Sequence, residues 1–168
     1  MELTIKERIQ LINQYNILAS LNPSDTNHYE ELIEILENGY EIFYSQIEGW
    51  VSESMPSSEG KFVLDVLSLY RAIEDYKRQN PSHALEEHHW GHFVGFDGNN
   101  ETAYMGFARF LIHKQKKFSE QKKYLEINDD CNSHSQTVEF YKRMLVKWEE
   151  MDKKFELNDE EVHKILGS

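Results

Sequence analysis

The sequence is poor in cysteine, in proline and in long apolar runs. It has one cysteine and three prolines among 168 residues. The single cysteine, Cys131, cannot form an intrachain disulfide and is typical of a reducing compartment. Residues 1–7 lack the basic start and apolar core of a signal peptide, and no run approaches the ~18 apolar residues of a membrane helix. We therefore expect a cytoplasmic protein with no membrane partner.

Positive charge is also scarce. Lysine and arginine number 18 against 30 aspartates and glutamates, which gives a net charge of −12 and a pI of about 5.1. This balance opposes broad contact with duplex DNA or with an anionic membrane. One basic cluster is present, at Lys114, Lys116, Lys117, Lys122 and Lys123. Because the rest of the chain is acidic, we interpret the cluster as a solvated helix end and expect no nucleic-acid partner.

Apolar residues recur at helical spacing through most of the chain, and no segment alternates strongly enough to predict a strand. The spacing predicts main helices at about residues 4–19, 25–44, 58–77, 100–112, 135–152 and 159–166, and a short helix at 82–89. Capping boxes at Thr4 with Glu7 and at Asn158 with Glu161 support the first and the last helix. We predict an all-α fold, a single-domain bundle over residues 1–168 with about six main helices around a buried central helix.

Residues 93–112 join a turn to the predicted central helix. Phe96, Asp97, Gly98 and Asn99 favour a turn, because glycine and asparagine accept positive φ and aspartate bonds its own backbone. Asn99 or Asn100 is then expected to cap the helix. Only one residue from 103 to 112 is charged, so this helix is predicted to lie inside the molecule.

Two charged residues interrupt apolar helical faces. Arg109 is the charged residue of the central helix, and Asp65 lies on the apolar face of the helix at 58–77. Burying an unpaired charge costs several kcal/mol, so each residue requires a partner. The sequence therefore predicts an ion pair between Asp65 and Arg109.

The chain resembles the YfbU family of small bacterial and archaeal proteins over nearly its whole length. The most specific match is the run 93–101 followed by Tyr104, Met105, Phe107, Arg109 and Phe110. Supporting matches are Asn13, Gln14, Tyr15, Leu21, Pro23, Gly39, Tyr40, Asp65, Tyr70, Tyr141, Met144, Leu145 and Trp148. The resemblance implies an all-helical fold without an assigned reaction. It also implies a ligand-sensing role, because the domain looks like one that is attached to helix-turn-helix segments in some relatives.

Other patterns suggest chemistry, but each has a simpler interpretation. His88 and His92 would share a helical face, yet the zinc pattern His-Glu-x-x-His is missing and Gly91 opposes a rigid helix. Cys131 and His134 lie in a polar loop that gives a nucleophile and a base no fixed geometry. The sequence predicts neither a metal nor a cofactor. Five aromatic residues at helical spacing are interpreted as core rather than as the lining of a ligand cavity: Tyr104, Phe107, Phe110, Tyr141 and Trp148.

The leading functional hypothesis is a small regulatory or ligand-binding module. Its ligand site is predicted at the turn, with Asp97, Asn99, Asn100, Glu101 and Arg109 as binding residues. Because the two acidic residues would repel a phosphate, a cationic or neutral ligand fits better than a nucleotide. The alternatives are a structural or protein-interaction domain without a ligand, and a hydrolase-type enzyme that uses the region 97–101. The apolar helix and the many aromatics also suggest a homodimer.

Overall fold

A computed structural model describes residues 2–49, 51–81, 85 and 88–167 of the chain. Its helices are α1 (Ile5–Leu21), α2 (Thr26–Asn38), α3 (Ser45–Glu48), α4 (Ser57–Gln79), α5 (Thr102–Arg109), α6 (Val138–Glu149) and α7 (Asp159–Leu166). Within the described ranges the β contacts amount to one isolated parallel bridge, between Phe96 and Asn132. The all-α prediction is confirmed. None of the described helices has the length and apolarity needed to cross a membrane.

Local sequence signals set the beginnings of α1 and α7 and the end of α2. The predicted capping boxes are present at Thr4 and Asn158, each with a glutamate three residues later. Helix α2 ends at Gly39, which adopts the left-handed conformation with φ +67°. The prediction that this helix continues to residue 44 is wrong, because a 3-10 turn (Glu41–Phe43) follows the glycine.

The chain divides into two compact units, Met1–Ser54 and Met55–Ser168. The first unit is a hairpin of α1 and α2 followed by α3. Its buried core consists of Leu32, Ile35, Leu36, Tyr44 and Ile47, with Leu3, Leu11, Ile12 and Tyr15 packed against it. Each unit has its own hydrophobic core. The single-domain organisation of residues 1–168 stays a prediction.

Helix α4 is the most buried helix of the second unit, with ten buried residues. The segment predicted as the buried central helix is buried less completely. It begins at Thr102, and its final turn, Phe110–Lys114, is a π-helix. Ala108, Leu111 and Ile112 are buried, whereas Phe110 is 44% exposed. The core of this unit therefore forms around α4, against which α5 and α6 pack.

Candidate functional site

Asp97 makes the hydrogen bonds that close the turn at 97–101, where the sequence predicts a ligand site. Its carboxylate accepts a hydrogen bond from the backbone N–H of Asn99 (3.0 Å) and one from Nδ2 of Asn100 (2.5 Å). Hydrogen bonds from Asn100 and Asn99 lower the pKa of Asp97 below its usual value. Asp97 thus closes the turn, as the sequence predicts.

Glu101 ties this turn to the beginning of α6. Its buried carboxylate accepts hydrogen bonds from the backbone N–H groups of Asp97 (3.0 Å), Thr137 (3.0 Å) and Val138 (3.0 Å). Oγ1 of Thr137 also lies 3.1 Å from Oε2 of Glu101. Thr137 and Val138 stand at the first positions of α6, whose N–H groups have no partner within the helix. A glutamate 36 residues away in sequence therefore caps this helix.

The asparagines of the turn do not cap α5. The N-cap position is Glu101, and neither its side chain nor that of Asn99 bonds the first turn of α5. Both asparagines bond Asp97 instead. Asn99 donates through its backbone N–H, and Asn100 donates through its side-chain amide. The prediction of an asparagine cap is wrong because α5 begins only at Thr102, which places Glu101 rather than an asparagine at the N-cap position.

Arg109 and Asp65 have separate partners. Nε of Arg109 donates to the backbone carbonyl of Asp130 (2.6 Å) and lies 3.1 Å from its carboxylate. Asp65 pairs with Lys61 (2.9 Å) and with Lys153 (3.0 Å). Arg109 and Asp65 are 36% and 26% exposed, so neither is the fully buried charge that a mutual pair would satisfy. The predicted ion pair between them is wrong.

The structure therefore brings four of the five predicted binding residues together and holds the fifth elsewhere. Asp97, Asn99, Asn100 and Glu101 form one turn, while Arg109 binds the loop at 129–130. The described hydrogen bonds occupy both oxygens of each carboxylate in the turn. A ligand-binding role for these five residues stays a prediction.

Gly95 fixes the distance between the segment before the turn and the loop at 128–134. It has φ +95°, and a Cβ atom here would lie 2.3 Å from the carbonyl carbon and oxygen of Cys131. Its own carbonyl accepts hydrogen bonds from Thr137 Oγ1 and Tyr141 Oη, both at 3.0 Å. The N–H of Phe96 donates to the Cys131 carbonyl at 2.9 Å. The close backbone approach is therefore possible only for glycine.

Cys131 is enclosed by this packing. It is fully buried, and its N–H donates to Oδ1 of Asn128 at 2.9 Å. Burial, together with the neighbouring Asp130 carboxylate, raises the pKa of its thiol to about 12. A thiol in this state is protonated at neutral pH and is a poor nucleophile.

We expect native protein at neutral pH to react with a disulfide reagent such as DTNB at least ~100-fold more slowly than urea-unfolded protein, because the thiol is both buried and protonated. The chain has one cysteine, so the absorbance change reports Cys131 alone. Rapid, complete labelling of the folded protein would show that the thiol is accessible and ionised.

His88 and His92 do not share a helical face, which agrees with the expectation that Gly91 opposes a rigid helix here. Residues 88–92 form turns and bends. Nδ1 of His88 accepts a hydrogen bond from the Trp90 N–H (3.2 Å), and the His92 ring stacks on Tyr124 with 4.8 Å between centroids. Glu86, Glu87 and most of the predicted short helix at 82–89 lie outside the described residues. Among those that are described, no group of three or more histidine, cysteine or acidic residues could hold a metal ion.

Sequence reasoning missed a second polar cluster, which consists of Glu74, Lys77, Lys123 and Tyr124 and is called the Glu74 cluster below. Nζ of Lys77 donates to Glu74 Oε1 (2.8 Å), to Tyr124 Oη (2.6 Å) and to the carbonyl of Gly91 (3.2 Å). Tyr124 Oη donates to Glu74 Oε1 (2.6 Å), and Lys123 Nζ lies 2.7 Å from Glu74 Oε2. Glu74 and Lys77 are 8% and 6% exposed, so a carboxylate and an ammonium are buried together here.

Burial alone would raise the pKa of Glu74. Hydrogen bonds from Lys123, Lys77 and Tyr124 outweigh burial, and the pKa lies below its usual value. Glu74 is therefore ionised at neutral pH despite its low exposure, and its carboxylate is held in place by these hydrogen bonds.

A groove of about 520 Å³ opens beside this cluster, between the end of α4 and the 3-10 helix Ser119–Tyr124. Its lining residues are Glu74, Asp75, Lys77, Arg78, Pro81, Glu120 and Lys123. Three of these are acidic and three are basic.

One sequence signal could have indicated the site. Lys77 continues an apolar row of α4, where a charged residue needs a buried partner. The other members of this row are Val63, Val66, Tyr70 and Ile73.

Two comparisons place the chain among known proteins. The family model described as the YfbU domain matches residues 1–168. The UPF0304 protein MJECS11 of Methanocaldococcus jannaschii is 48% identical over 165 residues, which cover 96% of this chain and 97% of the relative. A UPF0304 protein of Histophilus somni strain 2336 is 26% identical over 168 residues, which cover all of both chains. The similarity thus extends over both compact units.

Proposed function

The chain belongs to the YfbU family, and we propose that it is a small ligand-binding module of regulatory type. Its ligand is a small zwitterionic metabolite of the α-amino-acid kind, which binds in the groove beside the Glu74 cluster. The observation that carries this proposal is the presence of three acidic and three basic side chains around one groove of ligand size.

The size and charge of the groove support this class of ligand. Ligand pockets in proteins commonly measure about 300–1,000 Å³, and this groove has about 520 Å³. A ligand with charge of one sign would meet like charges on part of the lining. A zwitterion can place its carboxylate near Arg78 and Lys123 and its ammonium near Asp75 and Glu120.

The groove also combines a rigid floor with accessible charged side chains at its rim. Glu74 and Lys77 are buried and hydrogen-bonded, so they hold the floor in one arrangement. At the rim, Arg78 and Lys123 are 75% and 51% exposed, and a ligand carboxylate would compete with their ion pairs to Asp75 (2.9 Å) and Glu74 (2.7 Å). Nε of Arg71 holds the carboxylate of Glu120 at 2.7 Å. Such preorganisation lowers the entropy that ordering a binding site would cost.

The turn at 97–101 is less suited to binding or catalysis. Both carboxylate oxygens of Asp97 and of Glu101 already accept hydrogen bonds from groups of the chain, which reduces the accepting capacity left for a ligand or a substrate water. A hydrolase would require a general base within reach of a nucleophile or water. These contacts favour a structural role for the turn and a binding role for the groove.

We expect at least one standard amino acid to raise the melting temperature of the native protein, because a ligand that binds only the folded state stabilises it. Analogues that lack either the carboxylate or the amino group should bind at least ~10-fold more weakly. Thermal melts of the full chain over the whole amino-acid set, followed by titration calorimetry, measure both effects.

A matched pair of variants locates the site. Lys123→Met should weaken binding at least ~10-fold by removing a cation at the groove. Lys142→Met is the control, because Lys142 also pairs with a glutamate and is 56% exposed but does not line the groove. The proposal fails if no amino acid changes the melting temperature, or if Lys123→Met retains full affinity.

A further inference from the structure

Helix α1 has an exposed row of apolar residues that its packing on α2 does not bury. Ile5, Ile9, Ile17 and Leu21 recur at intervals of four residues and are 69%, 53%, 60% and 70% exposed. Asn13, also exposed, occupies the middle position of the row. Residues four apart form a continuous ridge, here about 24 Å long at 1.5 Å per residue. This ridge is named the α1 ridge.

The middle of the α1 ridge, at Ile9, Asn13 and Ile17, lies on a different face from the one that packs on α2. Leu11, Ile12 and Tyr15 of α1 pack against the core of the first unit. None of the residues of α1 is fully buried, although the helix carries seven large aliphatic residues. A helix that is apolar on two sides requires a partner on each side.

The ridge also lacks charge. Residues 9–21 contain no aspartate, glutamate, lysine or arginine, while the chain as a whole has a net charge of −12. Net charge of this size opposes self-association through most of the surface. An uncharged helical face avoids that repulsion, and the cores of protein interfaces are depleted in charged residues.

We infer that a second copy of the chain covers the α1 ridge, with the two α1 helices packed antiparallel about a two-fold axis at Asn13. The ridge reads the same in both directions, with two aliphatic residues on each side of the asparagine. Ile9 of one copy then faces Ile17 of the other, whereas Ile5 and Leu21 lie at the ends, where crossed helices diverge. A two-fold interface requires such self-complementarity.

Charge favours the antiparallel arrangement over the parallel one. The charged residues of α1, Lys6, Glu7 and Arg8, all lie near its first turn. Antiparallel packing separates the two sets by the length of the helix and places opposite ends of the two helix dipoles side by side. Ridges of this kind pack together at a crossing angle of about −50°.

Asn13 has the chemistry that a residue on the axis requires. Its amide carries both donors and an acceptor, so two copies are able to bond each other. Within the described part of the chain, its side chain makes no hydrogen bond. A single polar residue at the centre of an apolar helix pair sets register and oligomeric state.

Sedimentation equilibrium at micromolar concentration tests the inference. The wild-type chain should have twice its chain mass of 20.0 kDa. Ile17→Lys should weaken the dimer at least ~100-fold, because two-fold symmetry buries the new charge twice. Asn13→Asp, which keeps the side-chain shape but places two like charges on the axis, should do the same. The control is Ile42→Lys, which changes an 83%-exposed isoleucine outside α1 and should leave the dimer intact.

Circular dichroism of each variant verifies that the helices are formed, so that a loss of mass reports the interface. A wild-type chain that sediments at 20.0 kDa overturns the inference, whether the ridge is then covered by another part of the same chain or by a different protein. A dimer that survives both Ile17→Lys and Asn13→Asp also overturns it, since another surface must then hold the copies together.

Discussion

Replacing Gly95 by alanine is expected to destabilise the second unit by about 4 kcal/mol. A Cβ atom at this position would lie 2.3 Å from the carbonyl group of Cys131, and the backbone has φ +95°, which an L-residue rarely adopts. Strained backbone and overpacking each cost about 1–3 kcal/mol. The loop at 128–134 must then move away, which breaks the hydrogen bond from Phe96 to Cys131. Urea unfolding of the variant and wild type measures the difference.

Gly106→Ala is the matched control. Gly106 lies inside α5, and a Cβ atom there would meet no other atom within 4 Å. Alanine in a helix interior is about 1 kcal/mol more favourable than glycine, so this variant should be slightly stabilised. If both variants unfold at the same urea concentration as wild type, the contact between Gly95 and Cys131 does not constrain the fold.

The parts of the fold that the sequence predicted correctly depend on residues close in sequence. The capping box of Thr4 and Glu7 spans one helical turn, so the beginning of α1 could be predicted from the sequence. The end of α2 was misjudged because apolar spacing continues through Ile42 and Phe43, although these residues are 83% and 45% exposed. In this segment the conformation of Gly39 outweighs the hydrophobic pattern.

The candidate sites follow the same rule. Asp97 bonds residues two and three positions away, and its role in the turn was predictable. Glu74 and Lys77 are also neighbours on one helix, but Tyr124, which joins them, is 47 residues beyond Lys77. No local pattern specifies such a partner, since its position depends on how the 3-10 helix packs on α4. A lysine within an apolar row indicates only that some partner exists.

Glu101 shows why the turn looked like a ligand site. An acidic residue beside two asparagines and a helix start offers polar groups to a ligand, and if Glu101 only held a ligand, Glu101→Gln would leave stability nearly unchanged. The structure predicts the opposite, because the groups that bind this carboxylate are backbone N–H groups of the same chain. What appeared to be binding capacity is already used to join α5 to α6.

Replacing Glu101 by glutamine is expected to destabilise the protein by about 3 kcal/mol. Oε1 accepts from the N–H of Val138 and Oε2 from the N–H of Asp97, while that of Thr137 contacts both. A glutamine NH2 group at either position faces a backbone donor, so one buried N–H loses its partner. Hydrogen bonds to a charged group contribute about 1.5–3 kcal/mol each, and the loss also removes a negative charge at the start of α6. Urea unfolding measures the change.

The control for this variant is Glu139→Gln, in the first turn of the same helix. Glu139 is 83% exposed and pairs only with Lys142 among the described residues, so its replacement should change the unfolding free energy by less than about 0.5 kcal/mol. A ligand held by Glu101 would leave the two variants equally stable and separate them only in ligand binding. Equal unfolding curves for Glu101→Gln and Glu139→Gln would therefore contradict a stabilising role for Glu101. The turn would then again be a candidate binding site.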